Sequence, residues 1–183
     1  MSDKKKLAGG GRLPFVRNGV AQVALVVRDL DRVVEQWWEL FGIGPWHFYT
    51  YGTPLVKQMS YRGKPAEYSM RVALSWVGPL RIELIEPQRG PTVYEEFMRE
   101  HGQGVHHIGV LVGDMTAAIR QAEGAGLAMT MDGSGFGLDG DGHFAYLDTA
   151  ERIGTTIELI ERPKWRQTPE KIFPPEPAAD LPD

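Results

Sequence analysis

The sequence predicts an α+β protein in which two tandem βαβββ modules form one curved mixed sheet. A repeat supports this prediction: residues 22–30 and 107–115 each contain an aliphatic run of strand length, an aspartate and the start of a helix. A second repeat, Ile-Glu-Leu-Ile-Glu followed closely by proline, ends each half at residues 82–87 and 157–163. One such module leaves a face of its sheet uncovered, so we expect two modules to lie side by side.

The repeats and the composition divide the 183 residues into five regions. Residues 1–13 are charged and rich in glycine and are expected to be a disordered N-terminal lead, and residues 14–87 form the first module. Residues 88–104 form a linker with a short helix, and residues 105–161 form the second module. The last region, 162–183, contains six of the 13 prolines, which excludes a helix or an inner strand. We expect this Pro-rich tail to be an extended strap or a loose end.

A helix is predicted after the opening strand of each module. From Leu30 to Phe41 the apolar residues recur with the spacing of one helical face, and Gly42 provides a stop. A similar but smaller apolar stripe follows Asp114. Asp29 and Asp114 stand where an N-cap carboxylate accepts the free amides of the first turn. The first module is the longer one, and we place its extra residues between Tyr51 and Ala66.

The composition excludes several classes of protein. A formal net charge of −4 and a pI of about 5.8 argue against a nucleic-acid groove, which needs a clustered basic face. The chain has no cysteine, which rules out disulfides, a thiolate nucleophile and Cys-ligated metal sites. No apolar run approaches the roughly 18 residues that span a bilayer. We therefore expect a cytoplasmic protein without a nucleic-acid or membrane partner.

Four polar residues interrupt the aliphatic strands at matching places of the two halves. Gln22 and His107 lie on the opening strands, and Glu83 and Glu158 lie on the closing strands. In both halves the closing glutamate projects away from its aliphatic neighbours, because successive strand residues face opposite sides. The quasi-symmetry of the repeat is expected to bring the four side chains to one point.

A divalent cation is the simplest explanation for such a group. Isolated buried carboxylates are costly unless they are paired or coordinate a metal. One nitrogen and three oxygens suit Mn²⁺, Co²⁺, Ni²⁺, Zn²⁺ or Mg²⁺ and leave one or two positions for a substrate. By strand alternation, Glu86 and Glu161 are expected at the rim, and His106 is expected to point away from His107. A structural role for each of the four residues is the alternative when it is considered alone.

The walls of the site are predicted from the aromatic residues. We select Trp46, Tyr61 and Tyr146 as substrate contacts, since aromatic walls beside a metal would suit a ring-bearing or thioester-linked substrate. Most aromatic residues are expected simply to be core. The run Gly133–Gly142 lacks the Lys-Ser/Thr and the helix of a phosphate loop, so we predict a flexible loop over the mouth of the site.

These features resemble the vicinal oxygen chelate superfamily, which has the glyoxalase fold. Residues 102–110, Gly-Gln-Gly-Val-His-His-Ile-Gly-Val, and the preceding Tyr-Glu-Glu-Phe-Met-Arg-Glu-His resemble methylmalonyl-CoA epimerases. Residues 82–87 are similar to that family as well. The resemblance carries the metal ligands of the family onto a set of four residues: Gln22, Glu83, His107 and Glu158. Epimerases usually have His in place of Gln22, and a Gln, Glu, His, Glu set looks more like glyoxalase I. Residues 61–65 are typical of neither.

The resemblance implies a metal-dependent isomerase or epimerase. It would chelate a small carbonyl or acyl-CoA substrate, stabilise its enolate and move its α-proton. Glu158 is the first choice as the base and Glu83 the second. The alternatives are a lyase of the glyoxalase I type, an extradiol dioxygenase, and a metal-free ligand-sequestering protein of the bleomycin-resistance type. The resemblance also implies a homodimer.

Overall fold

The computed structural model describes residues 12–175, and their strands form one curved sheet. The first half contains six strands and one helix: β1 (Gln22–Val26), α1 (Leu30–Phe41), β2 (Trp46–Tyr51), β3 (Gln58–Tyr61), β4 (Lys64–Pro65), β5 (Ser69–Val77) and β6 (Leu80–Arg89). A linker helix and the second half follow: α2 (Val93–His101), β7 (Gly104–Leu111), α3 (Met115–Gly124), β8 (Met129–Phe136), β9 (Gly142–Leu147), α4 (Ala150–Ile153), β10 (Thr156–Glu161) and β11 (Lys171–Phe173).

The strand order confirms the predicted pair of βαβββ modules. It reads β11-β2-β5-β6-β1-β7-β10-β9-β8-β3-β4, so each module contributes a block of four strands and the blocks meet between β1 and β7. The pairs β1–β6 and β7–β10 are parallel, whereas β1 and β7 run antiparallel. The sheet is therefore mixed, and its centre consists of the first and last strands of both modules.

The predicted helix starts are confirmed by their caps. The carboxylate of Asp29 accepts a hydrogen bond of 3.0 Å from the Arg32 amide, and that of Asp114 accepts one of 2.8 Å from the Ala117 amide. Helix α1 ends at Gly42, whose φ of 65° places it in the left-handed region that favours glycine. Local sequence signals thus determine where both module helices begin.

Apolar side chains divide between the two faces of the sheet. Under α1 lies one cluster that includes Leu30, Trp46 and Leu84, and under α3 lies a second that includes Met115 and Leu159. The third and largest cluster lies on the opposite face, which is rich in aromatic residues. Strand alternation separates the clusters, since odd and even positions of each strand face opposite sides. The face without module helices is the one that is left to form a site.

The extra residues of the first half form a hairpin that crosses to the second half. Strand β3 pairs with β8, with Gln58 opposite Ser134 and Tyr61 opposite Met131, and β4 completes the hairpin at the edge of the sheet. This pairing corrects part of the prediction of a flexible loop over Gly133–Gly142: β8 extends to Phe136 and β9 begins at Gly142, so only residues 137–141 connect the two strands. A side chain at Gly133 would clash with the ring of Phe144, with Cβ 2.5 Å from Cζ. Close packing, not flexibility, explains this glycine.

The described part of the tail, residues 162–175, is an extended strap that returns to the first module; we call it the C-terminal strap. Its strand β11 pairs antiparallel with β2, at an edge of the sheet where prolines are tolerated nearby. The Glu170 carboxylate accepts hydrogen bonds from the amide and the hydroxyl of Thr50, at 2.8 and 3.0 Å. Lys171 Nζ lies 2.7 Å from an oxygen of Asp31 on α1. The strap therefore connects the end of the second module to the first.

Residues 1–11 and 176–183 lie outside the described part of the chain, so the predicted disordered lead is mostly not described. Leu13, at the end of that predicted lead, packs against the cluster under α3. No helix within residues 12–175 is long and apolar enough to cross a membrane.

Candidate metal centre

The four predicted ligands lie on four neighbouring strands at the centre of the sheet. Glu83 is on β6, Gln22 on β1, His107 on β7 and Glu158 on β10, which is their order across the sheet. All four side chains lie on the face without module helices, and all but Glu83 are buried. The junction of the two modules thus brings together residues that are up to 136 positions apart in the chain.

Three of these side chains converge on a common point. Nε2 of His107 lies 3.1 Å from Oε2 of Glu158 and 3.4 Å from Oε2 of Glu83. The three ligand atoms all lie within 4.8 Å of one another. Metal–ligand bonds of about 2.1 Å hold neighbouring ligand atoms about 3.0–3.4 Å apart. Both contacts of His107 fall in this range, so the two carboxylates and the imidazole fit a divalent cation.

Gln22 occupies a fourth corner of the same group, but it presents its amide nitrogen. Nε2 donates hydrogen bonds to Oε2 of Glu83 at 2.6 Å and to Oε2 of Glu158 at 2.8 Å. The amide oxygen faces the other way and accepts a hydrogen bond from Nε of Arg81. A carbonyl oxygen, not an amide nitrogen, would bind a hard cation. Gln22 as a metal ligand therefore stays a prediction. For the amide oxygen to face the cation, the amide group would have to rotate by half a turn and lose its hydrogen bond from Arg81.

The electrostatics of the group follow from its burial. Burial by itself lowers the pKa of His107, but the charges and hydrogen bonds of Glu158 and Glu83 outweigh it and raise the pKa to about 9. Burial raises the pKa of the Glu158 carboxyl, and His107 opposes this shift. Two carboxylates, one imidazole and one amide thus form a closed hydrogen-bonded group in this structure.

His106 is placed differently from the prediction. The antiparallel register between β1 and β7 shifts by one residue, since Ala24 is opposite His107 while Leu25 is opposite Val105. His106 is therefore the extra residue of a β-bulge, which redirects its side chain. Its Nδ1 lies 2.9 Å from Nδ1 of His107, and burial, with the charge of His107, lowers the pKa of His106. The expectation that His106 points away from His107 was wrong because alternation fails at a bulge.

A small cavity of about 30 Å³ borders the two carboxylates. Its polar lining consists of Glu83, Glu158, Arg81 and Arg166, the last of which belongs to the C-terminal strap. Aromatic and aliphatic side chains supply the rest of the wall: Tyr51, Met70, Val72, Leu74, Ile85, Tyr94, Phe136, Phe144, Tyr146, Ile160 and Pro163. The cavity therefore combines a charged floor with an apolar, largely aromatic wall.

The three predicted substrate contacts end up in three different places. Tyr146 lines the cavity, and its hydroxyl lies 2.6 Å from that of Tyr94. Tyr61 lies outside the cavity lining and donates its hydroxyl hydrogen to Glu96 of α2. Trp46 is fully buried under α1, on the opposite face of the sheet, which corrects its prediction as a substrate contact. Trp46 and Phe48 are two positions apart on β2 and therefore face the same side of the sheet, and both belong to the cluster under α1.

The remaining polar candidates are held by partners of their own. Glu86 pairs with Arg71 at 3.1 Å, and a carboxylate oxygen of Glu161 lies 3.3 Å from the Met115 amide. Neither belongs to the central group, in agreement with the expected rim positions. Sequence reasoning missed Arg81, whose signal was available: it precedes Glu83 by two residues on one strand and therefore shares its face.

The fold and this site define a class of protein, and comparison with known proteins identifies the same class. Residues 21–146 match the family model of the glyoxalase/bleomycin resistance protein/dioxygenase superfamily. The chain belongs to this superfamily, and its sheet is the glyoxalase fold. No curated protein matches the chain in sequence.

Solved structures with a similar fold include methylmalonyl-CoA epimerases. The enzyme from Mycobacterium tuberculosis has 21% sequence identity and a TM-score of 0.54, over 78% of this chain and 87% of its own. A variant of the Streptomyces coelicolor epimerase in complex with 2-nitronate-propionyl-CoA has 20% identity and a TM-score of 0.57, over 81% and 97%. A hypothetical protein from Bacillus halodurans C-125 has 16% identity and a TM-score of 0.54, over 82% and 98%. At such identities the likeness concerns the fold alone.

Proposed function

We propose that this protein is a metal-dependent isomerase or epimerase that moves the α-proton of a small carbonyl or acyl-CoA substrate. The observation that carries the proposal is the convergence of Glu83, His107 and Glu158 beside a cavity at the junction of the modules. The epimerases among the structural neighbours agree with this choice. A divalent cation of Co, Mn, Ni, Zn or Mg bound there would stabilise negative charge that develops on a substrate oxygen.

The chain itself supplies two candidate proton carriers. Glu158 on β10 and Glu83 on β6 both line the cavity and are separated by the two strands that carry Gln22 and His107. Glu158 is the first choice as the base and Glu83 the second. One of them, ionised, would accept the α-proton, and the other, as the protonated carboxylic acid, would donate a proton to the opposite face, which would invert the stereocentre. The apolar walls would exclude water from the carbanion-like substrate.

A specific contact favours one alternative from another class of protein. The hydrogen bond from Arg81 completes the network around Gln22 without a cation, as a metal-free ligand-sequestering protein would require. A lyase of the glyoxalase I type would use the same four residues as the proposed isomerase. An extradiol dioxygenase is disfavoured, since such enzymes use two His and one carboxylate and this group has one His.

Metal analysis and proton exchange test the proposal together. The purified protein is expected to contain close to one divalent cation per chain and to exchange an α-proton with D₂O in one member of a panel of acyl-CoAs, 2-oxoaldehyde adducts and cyclic ketones. His107→Ala should empty the site, and Glu158→Gln should reduce exchange by about 10²–10⁴-fold. His101→Ala, which removes an exposed histidine of α2, is the matched control and should change neither quantity.

Two outcomes would contradict the proposal. Metal-free protein that binds a panel compound without exchanging its proton would identify the sequestering protein instead. Unchanged metal content in His107→Ala would remove that residue from the ligand set. The homodimer and the cytoplasmic location predicted from the sequence stay predictions, and sedimentation velocity would check the first of them.

A further inference from the structure

The bulge on β7 places the imidazole of His106 against that of the metal-ligand candidate His107. Neighbouring strand residues normally face opposite sides, but the shift of register between β1 and β7 brings these two rings together. Their Nδ1 atoms are 2.9 Å apart, and the rings are nearly perpendicular, at 87°. Nε2, the other nitrogen of His107, faces Glu83 and Glu158. His107 is therefore held at one nitrogen by His106 and at the other by the central carboxylates.

The direction of the hydrogen bond between the two rings follows from what a metal ligand requires. A cation at the common point of the three side chains would be bound by the lone pair of Nε2, so a neutral His107 carries its proton on Nδ1. Among the described residues, His106 is the one hydrogen-bond partner of that nitrogen. A hydrogen bond between two nitrogens contains one proton, so Nδ1 of His106 must accept, and a neutral His106 carries its own proton on Nε2.

The surroundings of His106 fix its ring and tolerate this tautomer. Tyr94, Phe97 and Tyr146 contact the ring edge to face, with centroid distances of 5.3, 5.2 and 5.9 Å. The residue is 6% exposed and lines a surface groove between α2 and α4. Within residues 12–175, the one fully buried side-chain atom without a hydrogen-bond partner is Oγ of Ser75. A proton on Nε2 of His106 is therefore not an orphaned buried donor.

We infer that His106 is a positioning residue of the metal centre: its Nδ1 accepts the Nδ1 proton of His107 and so directs the other nitrogen toward the cation. A hydrogen bond at the second nitrogen fixes the tautomer and the ring orientation of a metal-binding histidine and makes it a stronger ligand. Without an acceptor there, the proton of His107 could occupy Nε2 and block the cation. The hydrogen bond follows from the geometry of the chain, whereas its effect on a cation rests on the proposed function.

The hydrogen bond is tested first, on the full chain with a chelator present. Imidazole ¹⁵N signals near neutral pH report which ring nitrogens carry a proton, and a coupling across the hydrogen bond would connect the two Nδ1 atoms. We expect this coupling, with a proton on Nδ1 of His107 and none on Nδ1 of His106. A proton on Nδ1 of His106, or no coupling between the two nitrogens, would overturn the inference.

Metal affinity tests the effect on the cation. His106→Leu offers no acceptor, so we expect its dissociation constant for Co²⁺, measured by isothermal titration, to rise about 10- to 100-fold. His106→Asn places an amide oxygen close to the former position of Nδ1, and its affinity should stay within about threefold of that of the unaltered protein. His101→Leu, the same change at an exposed histidine of α2, is the control and should bind as the unaltered protein does.

The comparison of the two His106 variants separates positioning from packing. Equal losses of affinity in His106→Leu and His106→Asn would leave His106 with a packing role alone, and unchanged affinity in His106→Leu would leave it with none; either result overturns the inference. If His106→Leu does not fold, the affinity of His106→Asn and the ¹⁵N measurement on the unaltered protein decide the question. Failure of the unaltered protein to bind Co²⁺ would overturn the proposed function, and the ¹⁵N measurement would still decide whether His106 accepts the proton.

Discussion

Arg81 determines which end of the Gln22 amide faces the two central carboxylates. Its Nε donates to the amide oxygen, and this contact turns the NH₂ group toward Glu83 and Glu158. If the amide turned to offer its oxygen to a cation, its NH₂ would meet the guanidinium, and two donors would face each other. The hydrogen bond to Arg81 and metal coordination by Gln22 are therefore mutually exclusive.

Gln22→Glu tests this relationship. The variant keeps an acceptor for Arg81 but replaces two donated hydrogen bonds by repulsion from Glu83 and Glu158. We expect the metal-free protein to lose about 2 kcal/mol of its free energy of unfolding in urea. Saturating divalent cation should recover this loss, because a third carboxylate strengthens binding of the ion. Gln36→Glu, the same change on the exposed face of α1, should stay within about 0.5 kcal/mol of the unaltered protein. Equal stability of the two variants without metal would contradict the geometry.

Gly109→Ala tests the close packing behind the metal centre. A methyl group at this position would lie 2.9 Å from Cβ of Gln22 and 3.0 Å from Oε2 of Glu158, and 2.7 Å from Cδ1 of Ile160. Since the two functional side chains must move apart, we expect metal affinity to fall about 10- to 100-fold. Isothermal titration with a divalent cation measures the effect. Gly104→Ala on the same strand has nothing within 4 Å of the added carbon and should bind as the unaltered protein does. Equal affinities of both variants would show that Gly109 does not limit the site.

Tyr146→Phe tests the paired hydroxyls in the cavity wall. Removal of this hydroxyl leaves the fully buried hydroxyl of Tyr94 without its partner at 2.6 Å. We expect a loss of about 1–3 kcal/mol in the free energy of unfolding. The double variant with Tyr94→Phe should lose less than the sum of the two single variants, because no orphaned hydroxyl remains. Additive losses in a double-mutant cycle would mean that the hydrogen bond contributes nothing.

The contact between Asp31 and the C-terminal strap predicts a pH dependence. The hydrogen bond from Lys171, together with Arg71, lowers the pKa of Asp31 below its usual 3.8, although partial burial opposes the shift. A lowered folded pKa stabilises the fold fully above pH 3.8, and this contribution disappears as the pH falls through the folded value. Because the carboxylate is 39% exposed, we expect at most about 1 kcal/mol.

Urea unfolding between pH 7 and pH 2.5 measures this contribution as a difference between the unaltered protein and Asp31→Asn. The difference should be constant at neutral pH and should shrink as the pH falls below 3.8. Asp139→Asn, a change in the loop before β9, is the matched control. A difference between Asp31→Asn and the unaltered protein that grows on acidification would reverse the sign and reject the assignment.

Local signals in the sequence were sufficient to predict where the two module helices begin and where α1 ends. The caps at Asp29 and Asp114 and the stop at Gly42 depend on residues close in the chain, and all three are found as predicted. The repeat was sufficient to place Gln22 near His107 and Glu83 near Glu158, since equivalent strands of the two modules occupy equivalent positions. Each of these inferences needed only periodicity and symmetry.

The features that the sequence did not predict depend on how segments far apart in the chain align with one another. The bulge at His106 arises from a shift of one residue between β1 and β7, which no local pattern reveals. The environment of Arg81 depends on Arg166, which reaches the cavity only because the strap returns to the first module. Trp46 was wrongly predicted to line the site, because strand alternation alone does not show which face of the sheet the helix covers.

The hairpin of β3 and β4 has a consequence for the order in which the protein is completed during synthesis. Its partner strand β8 ends at Phe136, and the edge strand β2 receives its neighbour only at residues 171–173. The amino-terminal half therefore leaves the ribosome with three strands, β1, β2 and β3, each of which has one edge whose backbone donors and acceptors pair only with segments that have not yet been translated. A truncated chain that stops after the linker would expose these three strand edges to intermolecular pairing, and it would aggregate rather than accumulate as a half-sized protein.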